Sequence, residues 1–91
     1  FFIQIGLIMD KKTKLNKQFD KQFGVYVKKL RLEKKWSQED LASAINNDYQ
    51  NISRLERGGI TPNLYWCQRL AEAFGMNLSE FFKGFEFKKK K

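Results

Sequence analysis

The first clear pattern in the chain is a set of apolar residues at helical spacing. Phe19, Phe23, Val27 and Leu30 follow one another at intervals of four, four and three residues. Because a helix turns once every 3.6 residues, these side chains share one face, with polar residues between them. The pattern predicts a first amphipathic helix from Phe19 to about Lys35.

A second helix is predicted from Gln38 to Ile45. Ser37 stands directly before it and Asp40 lies three residues farther on, a combination in which each side chain can bond to the other residue's backbone amide. The helix is expected to stop at Asn46-Asn47, because asparagine tolerates the left-handed backbone conformation that ends many helices. A tight turn should follow.

A third helix is predicted from Tyr49 to Arg57. Asp48 is a suitable N-cap, Ile52 and Leu55 supply the apolar face, and Gly58-Gly59 marks the end. Two short helices joined by a turn of about three residues, the second with a polar outer face, have the layout of a helix-turn-helix.

The rest of the pattern predicts two more helices. Thr61-Pro62 should open the fourth, because proline suits the first helical position and the threonine before it can act as the cap. Gly75 should end this helix. Asn77, with Glu80 three residues later, should begin a short fifth helix. The predicted fold class is therefore all-α, with five helices.

Three segments are expected along the chain: a helix-turn-helix domain over residues 19–83, a basic and apolar extension over residues 1–18, and a basic, aromatic tail over residues 84–91. The extension is expected to be flexible. Its first eight residues, FFIQIGLI, are too short to span a bilayer. They are interpreted either as an upstream extension before a natural start at Met9 or as a β-prone arm.

Composition disfavours an enzyme. The 91 residues suffice for one domain with one modest core. The chain has no histidine and a single cysteine, Cys67, which rules out an internal disulfide, histidine-based catalytic pairs and the usual zinc ligand sets. We therefore expect a protein without catalytic activity, metal or cofactor, in a reducing, cytoplasmic setting. Cys67 falls on the inner face of the fourth helix and should belong to the core.

The chain is basic, with a formal net charge of +8. Residues 10–36 hold ten Lys and Arg against three acidic residues, residues 83–91 hold five against one, and residues 37–82 are slightly acidic. Such a charge favours a polyanionic partner, because lysines and arginines that neutralise phosphates release condensed counterions. Taken alone, it fits DNA, RNA or an anionic membrane, and each basic flank could also be merely solvated.

The string SQEDLASAINNDYQNISRLERG, followed by TPNLYWCQRLAEAFGMNLSEFF, resembles the XRE family of phage-repressor-like, Cro/C1-type DNA-binding domains. The similarity covers residues 23–83 and includes SQEDLA at the start of the second helix and IS and LE in the third. Asn46 departs from the pattern, since the family often has glycine there, and so do Asp48 and Tyr49 at the start of the third helix. The resemblance implies a lambda-repressor-like fold that binds double-stranded DNA.

A helical wheel locates the outer face of the third helix independently of this resemblance. At 100° per residue, Ile52 and Leu55 mark the buried side, and Gln50 and Arg54 lie near the centre of the opposite side. Glutamine can pair bidentately with adenine and arginine with guanine, so both suit base readout. The residues predicted to read bases are Tyr49, Gln50, Ser53 and Arg54. An ordinary solvated helix face is the alternative.

Four further residues are predicted to hold the DNA backbone. Gln38 begins the second helix, where side-chain and main-chain amides can bind a phosphate, and the resemblance implies the same role. Asn51 is a candidate from the first turn of the third helix, and Arg57 from its outer face. The resemblance also implies that Arg31 pairs with Glu56, tying the first helix to the third, and lies near the DNA backbone.

These observations predict a sequence-specific transcriptional regulator, acting as a repressor on a palindromic double-stranded operator. Within this class the chain could be a phage-type repressor, an antitoxin that represses its own operon, or a restriction-modification controller. A homodimer is expected to form through Phe85 and Phe87, because these rings extend beyond the helical core and would be exposed in a monomer. One alternative is an antitoxin-type interaction module that binds a protein partner through its aromatic tail and autoregulates its operon. Another, less favoured, is a membrane-surface protein that uses FFIQIGLI.

Overall fold

The computed structural model describes residues 14–89, and the interpretation of FFIQIGLI concerns residues outside this range. The described residues form five helices and no strand, so the predicted all-α fold is confirmed. The helices are α1 (Lys14–Glu33), α2 (Gln38–Ala44), α3 (Tyr49–Glu56), α4 (Leu64–Ala73) and α5 (Leu78–Lys83). α1 starts inside the segment expected to be an extension. None of these helices is long and apolar enough to cross a membrane.

Reciprocal side-chain caps start α2 and α5, as predicted. Ser37 Oγ accepts a hydrogen bond from the Asp40 amide at 3.0 Å, and Asp40 Oδ2 accepts one from the Ser37 amide at 2.8 Å. Asn77 and Glu80 form the same arrangement at α5, with distances of 2.8 Å and 3.0 Å. Because each pair satisfies two amides that lack a partner inside the helix, the caps fix where α2 and α5 begin.

The start of α4 differs from the prediction. Its N-cap is Asn63, whose Oδ1 accepts a hydrogen bond from the Trp66 amide at 2.8 Å. Thr61, the predicted cap, donates its hydroxyl proton to the carboxylate of Asp20, whose oxygens lie 2.6 Å and 2.7 Å away. Asp20 is only 1% exposed. This bond ties the loop between α3 and α4 to α1, a long-range contact that competes with the local capping role.

All five helices contribute apolar side chains to one core. The members with at most 1% exposure are Phe23, Val27, Leu41, Ile52, Leu55, Leu70, Ala71 and Phe81. Cys67 is buried with them, which confirms its prediction as a core residue. Burial raises the pKa of the Cys67 thiol, because the thiolate would lose its hydration. The thiol therefore stays protonated and poorly reactive at neutral pH.

A buried tyrosine ties α1 to α5. The Tyr26 hydroxyl donates a hydrogen bond to the carbonyl oxygen of Phe81 at 2.6 Å. A Cβ atom on Gly84 would lie 2.6 Å from this hydroxyl, so a side chain at that position would displace it. Burial, and to a lesser extent the charge of Glu33, raises the pKa of Tyr26. The phenol therefore remains protonated and can act as the donor.

The aromatic tail folds back onto α1, so the premise of a tail-mediated dimer was wrong. The Phe85 ring meets Phe19 edge to face at a centroid distance of 5.5 Å, and the Phe87 ring lies 5.6 Å from the same ring. The Gln22 side chain donates to the Lys88 carbonyl at 2.7 Å and accepts from the Lys88 amide at 2.9 Å. The two rings are half-buried within their own chain, so they are not the exposed aromatics that the prediction assumed.

α1 and α3 cross at a glycine. A Cβ atom on Gly24 would lie 2.6 Å from the carbonyl oxygen of Glu56, and closer still to that of Leu55. Real Cβ atoms do not approach backbone oxygens so closely. The absence of a side chain at Gly24 therefore sets the distance between the two helices, and with it the position of α3.

We predict that Gly24→Ala destabilises the protein, although alanine is ordinarily the better helix former by about 1 kcal/mol. The added methyl group must push α1 away from α3, because the atoms that it meets are backbone. The cost should therefore lie in the upper part of the range of about 1–3 kcal/mol that is typical of overpacking, above the gain in helix propensity. Urea unfolding should show a net loss of stability. Val25→Ala is the control, because Val25 is the next residue of α1 and is 60% exposed. A Gly24→Ala variant as stable as the parent would contradict the account.

Candidate nucleic-acid interface

The side chains that the helical wheel predicts to point outward surround one shallow concavity on α3. The residues that line it, around a volume of about 340 Å³, are Tyr49, Gln50, Ser53, Arg54 and Arg57. On the opposite side of the helix, Ile52 and Leu55 are 0% exposed. The structure thus brings together the four residues predicted to read bases, and it adds one of the residues predicted to contact phosphate.

The turn between α2 and α3 fixes where α3 begins. Asn46 has a φ of 55°, which confirms the predicted left-handed residue. Asp48 caps α3, since its Oδ1 accepts a hydrogen bond from the Asn51 amide at 3.0 Å. Asn47 Oδ1 accepts from the Asn51 side-chain amide at 2.7 Å. Asn51 is therefore half-buried against the turn and does not line the concavity.

The far end of α3 is held by a buried ion pair. Arg31 Nε donates to Glu56 Oε2 at 2.7 Å and Arg31 Nη2 donates to Glu56 Oε1 at 3.0 Å, so the contact is bidentate. The two side chains are 8% and 3% exposed. The pair that the family resemblance implies is therefore present. Arg31 is buried and does not line the concavity.

Gln38 joins this ion pair from α2. Its Nε2 donates a hydrogen bond to Glu56 Oε1 at 3.1 Å, so one carboxylate binds side chains of both α1 and α2. The Gln38 side chain is half-buried, and its amide nitrogen carries a second hydrogen. The contact fixes the first residue of α2 against the last residue of α3. Of the four residues predicted to contact phosphate, only Arg57, which directly follows α3, lines the concavity.

Sequence reasoning missed two contacts in this network, the bond from Gln38 to Glu56 and one made by Arg31. Arg31 Nη1 donates to the backbone carbonyl of Trp36 at 2.6 Å. The Trp36 ring stacks on the Phe74 ring, with the two centroids 6.1 Å apart. Lys34 Nζ lies 5.5 Å from the centroid of the Trp36 ring. Every residue has a backbone carbonyl, so the sequence does not indicate which one accepts this hydrogen bond. Only the tertiary structure reveals the contact. It locks the turn between α1 and α2 to the same guanidinium that holds α3.

The chemistry of the outer face of α3 suits an anionic polymer with hydrogen-bonding edges. Two arginines supply positive charge, and none of the residues lining the concavity is acidic. Arginine offers a rigid fork of donors, and glutamine offers a donor and an acceptor side by side. The concavity is shallow and lies on a helix narrow enough to enter the major groove of DNA.

The family model described as helix-turn-helix matches residues 27–81, more than half of the chain. The chain belongs to the helix-turn-helix family. This membership confirms the XRE-type resemblance drawn from the motifs. The matched range contains α2, the turn and α3, which form the motif that names the family. A comparison with curated proteins finds no match.

Three solved structures are similar to this helix-turn-helix protein. The restriction-modification controller protein C.AhdI from Aeromonas hydrophila is 32% identical, with a TM-score of 0.64 over 68% of this chain and 90% of that chain. C.Esp1396I, a restriction-modification controller protein solved as a tetramer with its 35-base-pair operator, is 28% identical, with a TM-score of 0.64 over 78% and 88%. A transcriptional regulator from Vibrio cholerae is 22% identical and supports the fold alone, with a TM-score of 0.67 over 75% and 38%.

We predict strong coupling between Arg31 and Glu56 in this helix-turn-helix protein. Arg31→Met or Glu56→Leu alone should cost about 3–5 kcal/mol of stability, because each leaves an unpaired buried charge. The double variant should recover much of that loss. The exposed pair of Arg69 and Glu72, 3.7 Å apart, is the control and should show a coupling below about 1 kcal/mol. Additive losses at Arg31 and Glu56 in urea unfolding would contradict the assigned role.

Proposed function

We propose that the chain represses transcription by laying α3 in the major groove of a palindromic operator. Its family makes the chain a DNA-binding transcriptional regulator. The single observation that carries the mode of binding is the set of outward side chains of α3, which share one concavity free of acidic residues. A helix whose opposite side is fully buried presents these side chains as a rigid unit, as base readout requires.

Arg54 and Gln50 are the residues that we assign to base readout. Both are exposed and both can form two parallel hydrogen bonds with a purine edge, arginine with guanine and glutamine with adenine. Tyr49, which is 51% exposed, and Ser53, which is half-buried, line the same concavity and are assigned to neighbouring base edges. The assignment makes α3 the element that sets sequence preference.

Phosphate contacts are assigned to residues around α3. Arg57 is exposed at the end of the helix, and Gln38 and Asn51 each have one amide hydrogen that can turn toward a phosphate. For Arg31 we propose a positioning role, since its burial and its bonds to Glu56 favour orientation of α3 over direct contact with DNA. Phosphate contacts fix register and orientation without specifying sequence.

The chain is proposed to act as a homodimer. The similar protein C.Esp1396I was solved as a tetramer on its operator. Two-fold symmetry in the protein would match half-sites about 34 Å apart, one turn of the duplex. We assign the chain no catalytic activity and a cytoplasmic location, in agreement with the missing histidines and the reduced, buried Cys67. An antitoxin-type role is not favoured, because the aromatic tail packs on α1.

We predict that Arg54→Ala and Arg57→Ala, which remove the same charge from positions three residues apart, have different consequences. Arg54→Ala should cost about 1–3 kcal/mol on the best operator and relax the preference at one base pair. Arg57→Ala should weaken all duplexes by a similar factor and preserve their ranking. Both variants are titrated at one salt concentration against an operator selected from random duplexes and its single-base substitutions.

Circular dichroism provides the control for folding in both variants. If folded Arg54→Ala loses affinity equally for every sequence, or loses none, α3 is not the reading helix. A parent protein that fails to prefer any selected duplex over a scrambled one would contradict the proposed function as a whole.

A further inference from the structure

One face of α1 carries four exposed lysines. Lys14, Lys17, Lys21 and Lys28 follow at intervals of three, four and seven residues, which keeps them within about one-sixth of a turn of the helix. From Lys14 to Lys28 the array is about 21 Å long, at 1.5 Å per residue. None of the four forms an ion pair with an acidic side chain of residues 14–89. We call these four residues the lysine face.

The lysine face opposes the stability of the helix that bears it. Like charges three and four residues apart on a helix repel one another, as Lys14, Lys17 and Lys21 must. Within residues 14–89, none of these lysines has an acidic partner that would offset the repulsion. A polyanion bound along the face would remove this cost.

The lysine face is continuous with the proposed DNA-binding surface. Gly58 directly follows Arg57, the last residue of the concavity on α3. A Cβ atom on Gly58 would lie 2.9 Å from the Cα atom of Lys21, so the backbones of the two segments touch. Arg57 at the end of α3 is therefore followed in space by Lys21 and then by the other lysines of the lysine face.

We propose that the lysine face binds phosphates of the same operator duplex, outside the stretch of groove that α3 occupies. The inference rests on the proposed function and extends its footprint. A duplex rises about 3.4 Å per base pair, so 21 Å of lysines corresponds to about six base pairs of flanking DNA. The contact is with the backbone, so it adds affinity and salt dependence but no sequence preference.

The test compares Lys21→Gln and Lys17→Gln/Lys21→Gln with Lys83→Gln, an exposed lysine at the end of α5. An operator selected from random DNA is used in two lengths, one trimmed to its half-sites and one extended by ten base pairs at each end. Affinity is measured by titration over a series of salt concentrations, and thermal unfolding is followed without DNA.

On the extended duplex, Lys21→Gln should reduce the log-log salt slope by about 1, and the double variant by about 2. Lys83→Gln should leave the slope unchanged, and all proteins should bind the trimmed duplex alike. Without DNA, the double variant should be at least as heat-stable as the parent, since it loses repulsion within α1. A lower affinity together with an unchanged or higher melting temperature separates DNA contact from a folding defect.

Equal slopes for the parent and the lysine variants on the extended duplex would overturn the inference. It would also fail if the variants lost only the ability to bridge two duplexes, because the lysine face would then hold a second DNA molecule. If either result is obtained but the parent still binds the trimmed duplex specifically, the proposed function remains supported. Loss of that binding would contradict the proposed function itself.

Discussion

The carboxylate of Glu56 is the point at which α1, α2 and α3 are joined. It accepts two hydrogen bonds from Arg31 and one from Gln38, and the same guanidinium also binds the carbonyl of Trp36. A buried ion pair contributes little net stability, because removing two charges from water costs about as much as their attraction returns. The role of the ion pair here is to orient α3. The bidentate geometry admits one orientation of α3, and the contact with Gln38 sets the start of α2 relative to the end of α3.

This constraint separates the two sides of α3. On the inner side, Ile52 and Leu55 are fully buried, and Gly24 brings the backbone of α1 against the last turn of the helix. On the outer side, Gln50 and Arg54 remain exposed and keep their donors available. A protein that distinguishes base pairs needs such an arrangement, because hydrogen bonds to base edges tolerate little displacement of the helix that carries them. The residues that hold α3 in place are therefore different from the residues that would contact DNA.

Sequence reasoning succeeded where the determining interactions are local. The left-handed turn residue Asn46 and the outward direction of Arg54 follow from neighbours within a few residues, through capping and helical periodicity. It failed where distant segments compete for a side chain. Thr61 would cap a helix on local grounds, but it binds a buried aspartate 41 residues away. The sequence pattern places Phe85 beyond the core, because nothing near it in the chain reveals that the tail turns back onto α1.

Amide chemical-shift mapping of the protein with a selected operator shows whether the outer face of α3 enters the groove of DNA. We expect the largest shifts from Tyr49 to Arg57. Leu64 and Tyr65, which are 68% and 69% exposed at the start of α4, serve as an internal comparison and should change less. The largest shifts on α4 or α5, with α3 unperturbed, would mean that α3 is not the helix that binds DNA.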